Sequence, residues 1–153
     1  MFQPAELSHR TRVHALIRDC FAPYIDRIGR PPAPMTTDYS ASLARGDVFC
    51  LMASPDASGQ SVLCAVLIVE NQTDALLVDT VAVAHSHRGQ GLATQMINLA
   101  EDIARQRGFQ RLRLYTNVAM TEALGMYLHL GFHETGRATE FGLNRVYLER
   151  SLS

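Results

Sequence analysis

One run of β-prone apolar residues, broken by two closely spaced glycines and resumed as a helix, constrains this chain most. Leu76-Leu77-Val78-Asp79-Thr80-Val81-Ala82-Val83 reads as a strand, and Arg88-Gly89-Gln90-Gly91-Leu92-Ala93 follows it. Leu92, Met96, Ile97, Ala100, Ile103 and Ala104 then recur on one helical face; Glu101, Asp102, Arg105 and Arg107 lie off it, and Gly108 closes it. A strand that turns through glycines into a helix N-terminus is a site for phosphate. Glycine reaches positive φ, so successive N–H groups can point at one spot. The unbonded N–H groups of the first helical turn and the helix dipole favour negative charge there.

The spacing excludes two common phosphate motifs. A Walker-type loop needs Gly-Lys-Ser/Thr, and the chain has no lysine. A dinucleotide fingerprint needs a third small residue where Thr94 stands and an acidic residue closing the next strand. That strand, Arg111-Leu112-Arg113-Leu114-Tyr115, ends in an aromatic. The pattern Arg/Gln-x-x-Gly-x-Gly/Ala does fit, through Arg88, Gly91 and Ala93. It resembles the acetyl-CoA pyrophosphate loop of the GNAT superfamily of N-acetyltransferases. Ala123-x-x-Met126-Tyr127-Leu128-x-Leu130-Gly131-Phe132 resembles a second segment of that family. The resemblance covers residues 76 to 133 best. Ile28 to Met35 and Leu114 to Glu122 are similar to a bacterial subgroup of unassigned substrate.

At 153 residues the chain is expected to form a single domain, 1–153. A net charge of −1 gives no basic footprint for nucleic acid and no polybasic membrane signal. Met1 to Ala5 has neither a basic nor an apolar signal region, and no apolar run is long enough to span a bilayer. Cys20, Cys50 and Cys64 lie in apolar surroundings without CxxC or Cys/His spacing, so reduced thiols, a cytoplasmic location and no metal are expected.

Helical spacing of Val13, Leu16, Ile17, Cys20 and Phe21 predicts a helix over Ser8 to Phe21, capped by Ser8. The Pro- and Gly-rich stretch from Ala22 to Met35 reads as a loop. Thr36 to Arg45 reads as a short helix capped by Thr36 or Thr37 and ended by Gly46. Val48 to Ala53 and Ser61 to Val69 read as strands joined by a turn at Pro55 to Gly59. Ala75 to Val83 continues the meander after a turn at Asn71 to Asp74. Arg111 to Tyr115 reads as a further strand and Thr121 to Leu130 as a further helix. Phe132 to Thr139 and Asn144 to Leu148 form a final hairpin through Phe141-Gly142. The fold class is α/β (α+β). The resemblance implies a GNAT fold: one mixed sheet, an antiparallel meander, a central parallel pair splayed after a bulge, and flanking helices.

The resemblance also implies acetyl transfer from acetyl-CoA to a primary amine of a small molecule or peptide. The alternative is a non-catalytic acyl-CoA-binding sensor or interaction module. Arg88, Gly89, Gln90, Gly91, Leu92, Ala93 and Thr94 would hold the pyrophosphate, with Ala93 small enough for close approach. Val81, Ala82 and Val83 would lend their backbone to the pantetheine arm, and the strand bulge would free groups for the thioester oxygen. Asn117 would reach the pantetheine from a neighbouring position, because Met120 holds the family's usual asparagine slot. Tyr127 matches the family's general acid.

An alkylamine of pKa about 10.4 is neutral in roughly one molecule in a few thousand at pH 7, so a base or a water relay is needed. Asp79 is the nearest acid, and strand alternation would put it on one face with Val81 and Val83. Leu77 stands where the family's best-known glutamate base falls. His85 and His87 read as surface or phosphate-adjacent residues. Acceptor contacts are expected from Tyr24, Arg30 and Tyr39. Arg30 either holds an acceptor carboxylate or solvates its loop. Amino acid, polyamine, aminoglycoside and protein N-terminus all stay open, and a homodimer through the final hairpin is an expectation of the family.

Overall fold

The computed structural model describes residues 1–53, 59 and 61–152. Strands β1 (Gln3–Pro4), β2 (Val48–Ala53), β3 (Val62–Asn71), β4 (Leu76–Val83), β5 (Arg111–Asn117), β6 (His133–Glu140) and β7 (Leu143–Ser151) form one sheet. Their order is β1-β2-β3-β4-β5-β7-β6. Every pairing is antiparallel except that of β4 with β5. Of the turn expected at Pro55 to Gly59, residues 55–58 lie outside the described residues, and Gly59 holds φ +82°.

Helices cover both faces of the meander. On one face α5 (Leu92–Gln106) and α6 (Thr121–His129) pack on Ala65, Leu67, Val69, Leu112, Leu114, Val146 and Leu148. On the other, α1 (Arg10–Phe21) and α4 (Ser40–Arg45) pack on Val48, Cys50, Val66 and Ile68. β3 lies between two layers, which is why Leu63 to Val69 is buried without alternation. Met96 of α5 is fully buried, so truncating it to alanine should cost about 2–5 kcal/mol.

Helix starts differ from the expected caps. The chain enters α1 through a 3-10 turn at Leu7–His9, where His9 Nδ1 accepts the Glu6 N–H at 2.9 Å; Ser8 is not the cap. Ala22 to Met35, expected as loop, contains a 3-10 turn, α2 (Ile25–Ile28) and the start of α3 (Ala33–Thr36). These single turns are too short to carry a periodic apolar stripe. Gly29 ends α2 at φ +87°. Asp38 Oδ1, not Thr36 or Thr37, accepts the Ser40 N–H and hydroxyl at 3.0 and 2.7 Å where α4 starts. The two threonine hydroxyls instead donate to the Ala33 carbonyl.

Two backbone features position the site. Ile68 pairs with Thr80 and Val69 with Val78, so Asp79 is an extra residue on β4, a β-bulge. Only Leu76 and Leu77 pair with β5, opposite Leu112 and Arg113, after which the two strands part. Among the described residues, no helix is long and apolar enough to cross a membrane.

Candidate active site

A cavity of about 500 Å³ fills the gap between the parting strands and continues to the end of α5. Its floor is β4 from Val78 to Val83 and β5 from Leu114 to Asn117. Its walls come from α1 and the short helices on one side and from α5 and α6 on the other. Every residue expected to meet the cofactor lines it except Gln90. Tyr127, Asp79 and Tyr24 line it as well, whereas Arg30 and Tyr39 do not.

At the α5 end, Gly89 and Gly91 hold φ +79° and +75°, and no atom lies within 4 Å of where either Cβ would be. The first bond of the helix is Gln95 N–H to the Gly91 carbonyl at 3.1 Å. None of the amide N–H groups from Gly89 to Thr94 is hydrogen-bonded to another described residue. A row of unpaired donors at a helix N-terminus, with open space above two glycines, fits an anionic diphosphate. Arg88 extends from the same turn, with Nε 3.3 Å from the Val83 carbonyl. That carbonyl also accepts the Cys20 thiol at 3.2 Å, so the end of β4 is held by two side chains.

Asp79 sits at the bulge in mid-cavity. The extra residue breaks the alternation: Val81 and Val83 pack toward α5, Thr80 points to the α1 side, and parity no longer ties Asp79 to the valines. Burial, reinforced by the Glu70 charge and opposed by Arg145, pushes the Asp79 carboxyl up to about 6. Tyr127 is a buried cavity wall on α6, edge-on to Phe132 with ring centres 5.8 Å apart. Burial alone pushes its phenol well above the usual range, so it keeps its proton at neutral pH. Asn117 Oδ1 accepts the Ala119 N–H at 2.9 Å and shapes the turn into α6.

The expected acceptor residues separate. Tyr24 lines the cavity beneath Arg27, whose guanidinium lies 5.3 Å from the ring centre. Arg27 also pairs with Glu122 of α6 at 2.7 Å, bridging the cleft and holding that carboxyl well below its usual range. Tyr39 is buried against α1 and β4: its hydroxyl meets Thr80 Oγ1 at 3.1 Å, and its N–H donates to His14 Nε2. Arg30 donates to the Phe141 carbonyl at 2.7 Å and occupies the space a side chain on Gly142 would need. It therefore clamps the β6–β7 turn, whose two residues hold φ 52° and 76°. His87 lines the cavity and bonds Ser86; His85 does not line it.

Sequence reasoning missed Arg145. It lines the cavity from β7 and stacks over Tyr115 of β5, 4.3 Å from the ring centre. The signal was Arg145-x-Tyr147 alternating with Val146 and Leu148, but only the β5–β7 pairing brings Tyr115 opposite Tyr147.

Residues 11–132 match the acetyltransferase (GNAT) family model. The chain belongs to the GNAT acetyltransferase family. It is 40% identical to mouse (Mus musculus) N-alpha-acetyltransferase 80 over 80 residues, which are 52% of this chain and 23% of that protein. Against N-alpha-acetyltransferase 30 of Schizosaccharomyces pombe it is 30% identical over 84 residues, 55% of this chain and 56% of that one. The chain thus spans about a quarter to a half of the length of these curated relatives. PaiA N-acetyltransferase from Thermoplasma acidophilum, solved in complex with coenzyme A, shares the fold. The TM-score is 0.72 at 12% identity, over 99% of this chain and 98% of that one.

Proposed function

We propose that this GNAT protein is an acetyl-CoA-dependent N-acetyltransferase acting on a primary amine. One observation carries the proposal: a glycine turn whose six amides have no partner among the described residues borders a cavity that also holds a half-buried carboxyl and a buried phenol. Acetyl-CoA supplies the acetyl group as a thioester. The amides of Gly89 to Thr94 bind its diphosphate; Ala93 permits close approach, Thr94 adds a hydroxyl, and Arg88 adds charge. Val81 to Val83 line the path from that turn to Asp79, on the edge of β4 that β5 leaves unpaired. Asp79 takes the proton from the acceptor ammonium. A carboxyl titrating near 6 is ionised at pH 7 yet far more basic than an exposed aspartate. Tyr127 carries at Oη the proton that leaves with the thiol.

Differential scanning fluorimetry with acetyl-CoA, ATP and NAD, followed by thiol release over a panel of amines, tests the proposal. Stabilisation by acetyl-CoA alone and thiol release with some amine are expected. Equal shifts from all three ligands would overturn it. Stabilisation without release from any amine would leave a non-catalytic acyl-CoA-binding module.

A further inference from the structure

Two arginines line the cavity among the described residues, and they stand at its two ends. Arg88 belongs to the glycine turn. Arg145 stands on β7, the strand next to β5 on the far side of the split from Asp79. Its side chain is only 12% exposed. A buried guanidinium ordinarily has close, charge-assisted bonds, about 2.7–2.9 Å long. The ion pair of Arg145 is with Glu140, at 3.4 Å, and Glu140 also takes the Tyr147 hydroxyl. Stacking holds it as well: Tyr115 lies 4.3 Å from the guanidinium and Phe141 5.9 Å, and the Tyr147 hydroxyl is a further partner. Stacking fixes the plane of an arginine, and a guanidinium has five N–H donors, so with Nη1 on Glu140 and one bond to Tyr147 donors remain at its edge for a carboxylate. The other arginines of this region are occupied: Arg27 by Glu122 at 2.7 Å and Arg30 by the Phe141 carbonyl at 2.7 Å.

Arg145 and Asp79 face one space. The arginine's charge offsets part of the burial effect on the aspartate, so the two groups sense each other. A cation and an anion lining one cavity complement a ligand that carries both charges. We infer that Arg145 reads a carboxylate on the acceptor, which makes the acceptor class a small amino-carboxylate whose ammonium lies at Asp79. Resting on the acetyl-transfer reading, this deepens it by selecting one acceptor class. It also gives Arg30 a positioning role at one remove, because Arg30 clamps the turn that places Phe141 beside Arg145.

The test compares L-amino acids with their carboxamides, which keep the amine and lose the negative charge. Thiol release with acetyl-CoA should favour the carboxylate series by about ten- to hundredfold in kcat/KM, mainly through KM. The Arg145→Gln variant should bring that ratio close to one without changing the KM for acetyl-CoA. Equal rates for the two wild-type series, or a preference for the carboxamides, would overturn the inference while leaving acetyl transfer intact. The wild-type comparison needs no variant, so a poorly folding Arg145→Gln would not decide the matter. A turnover-free arm separates the two readings: calorimetric titration of the CoA-loaded protein with the same pairs. Tighter binding of the carboxylates without turnover would support the Arg145 role and sink the acetyl-transfer reading; no difference in binding would sink the Arg145 role.

Discussion

Replacing Asp79 by asparagine should stabilise the protein, and only at pH values where the native carboxylate is ionised. Burial moves this carboxyl from the ordinary 3.8 up to about 6. At about 1.36 kcal/mol per pH unit, the ionised form is roughly 3 kcal/mol costlier in the folded than in the unfolded chain. Between those two values the native state binds more protons than the unfolded state. Stability is therefore full below about 3.8 and falls as pH rises through about 6. Asparagine has the same shape and cannot ionise. Urea unfolding at pH 4 and pH 8 should show Asp79→Asn gaining less than about 1 kcal/mol at pH 4 and about 3 kcal/mol at pH 8. At pH 8 that corresponds to roughly 6–12 °C in melting temperature for a chain of this size. The same variant should lose about 10²–10⁴-fold in turnover if Asp79 takes the amine proton. An equal gain at both pH values, or a loss at pH 8, would refute the reasoning that this carboxyl is held in a costly charged state.

Turnover should rise with pH along a limb set by Asp79 near 6, and its neighbours should move that limb in opposite directions. Glu70→Gln removes a charge that raises the carboxyl and should shift the limb to lower pH; Arg145→Gln should shift it to higher pH. A kcat/KM profile of each variant checks the signs. Tyr127→Phe should slow turnover with acetyl-CoA binding retained, as read by thiol release and calorimetry; unchanged turnover would remove Tyr127 from the mechanism. Gly91→Ala should cost about 1–2 kcal/mol of stability, because its φ of +75° is strained for any side chain. It should also shrink the melting-temperature rise given by acetyl-CoA, measured by scanning fluorimetry.

The elements that read correctly from the sequence are those whose partners impose a period. α5 shows its apolar face because one side meets the sheet and the other meets water. The glycine turn was legible because few arrangements need two glycines before a helix. The bulge at Asp79 was not legible by alternation, since it exists only relative to the register of β3. The same limit hid the start of α4: Asp38, Thr36 and Thr37 are all cap-forming residue types, yet Tyr39 stands at the N-cap position and the Asp38 carboxylate takes the Ser40 N–H from one residue before it. Arg30 and Arg145 show what one strand alone cannot tell. Both are single arginines near aromatic or turn residues. Arg30 ends on a carbonyl because the β6–β7 turn folds over it. Arg145 ends in the cavity because β7 pairs with β5, where its partner Asn117 is 28 residues away in sequence.

Amide NMR of isotope-labelled protein titrated with coenzyme A addresses the central claim most directly. The backbone N–H resonances of Gly89 through Thr94 should move together and downfield as the diphosphate takes the six donors. If those resonances stay still while coenzyme A binds, the anion is held elsewhere and the acetyl-transfer site described for this chain is wrong.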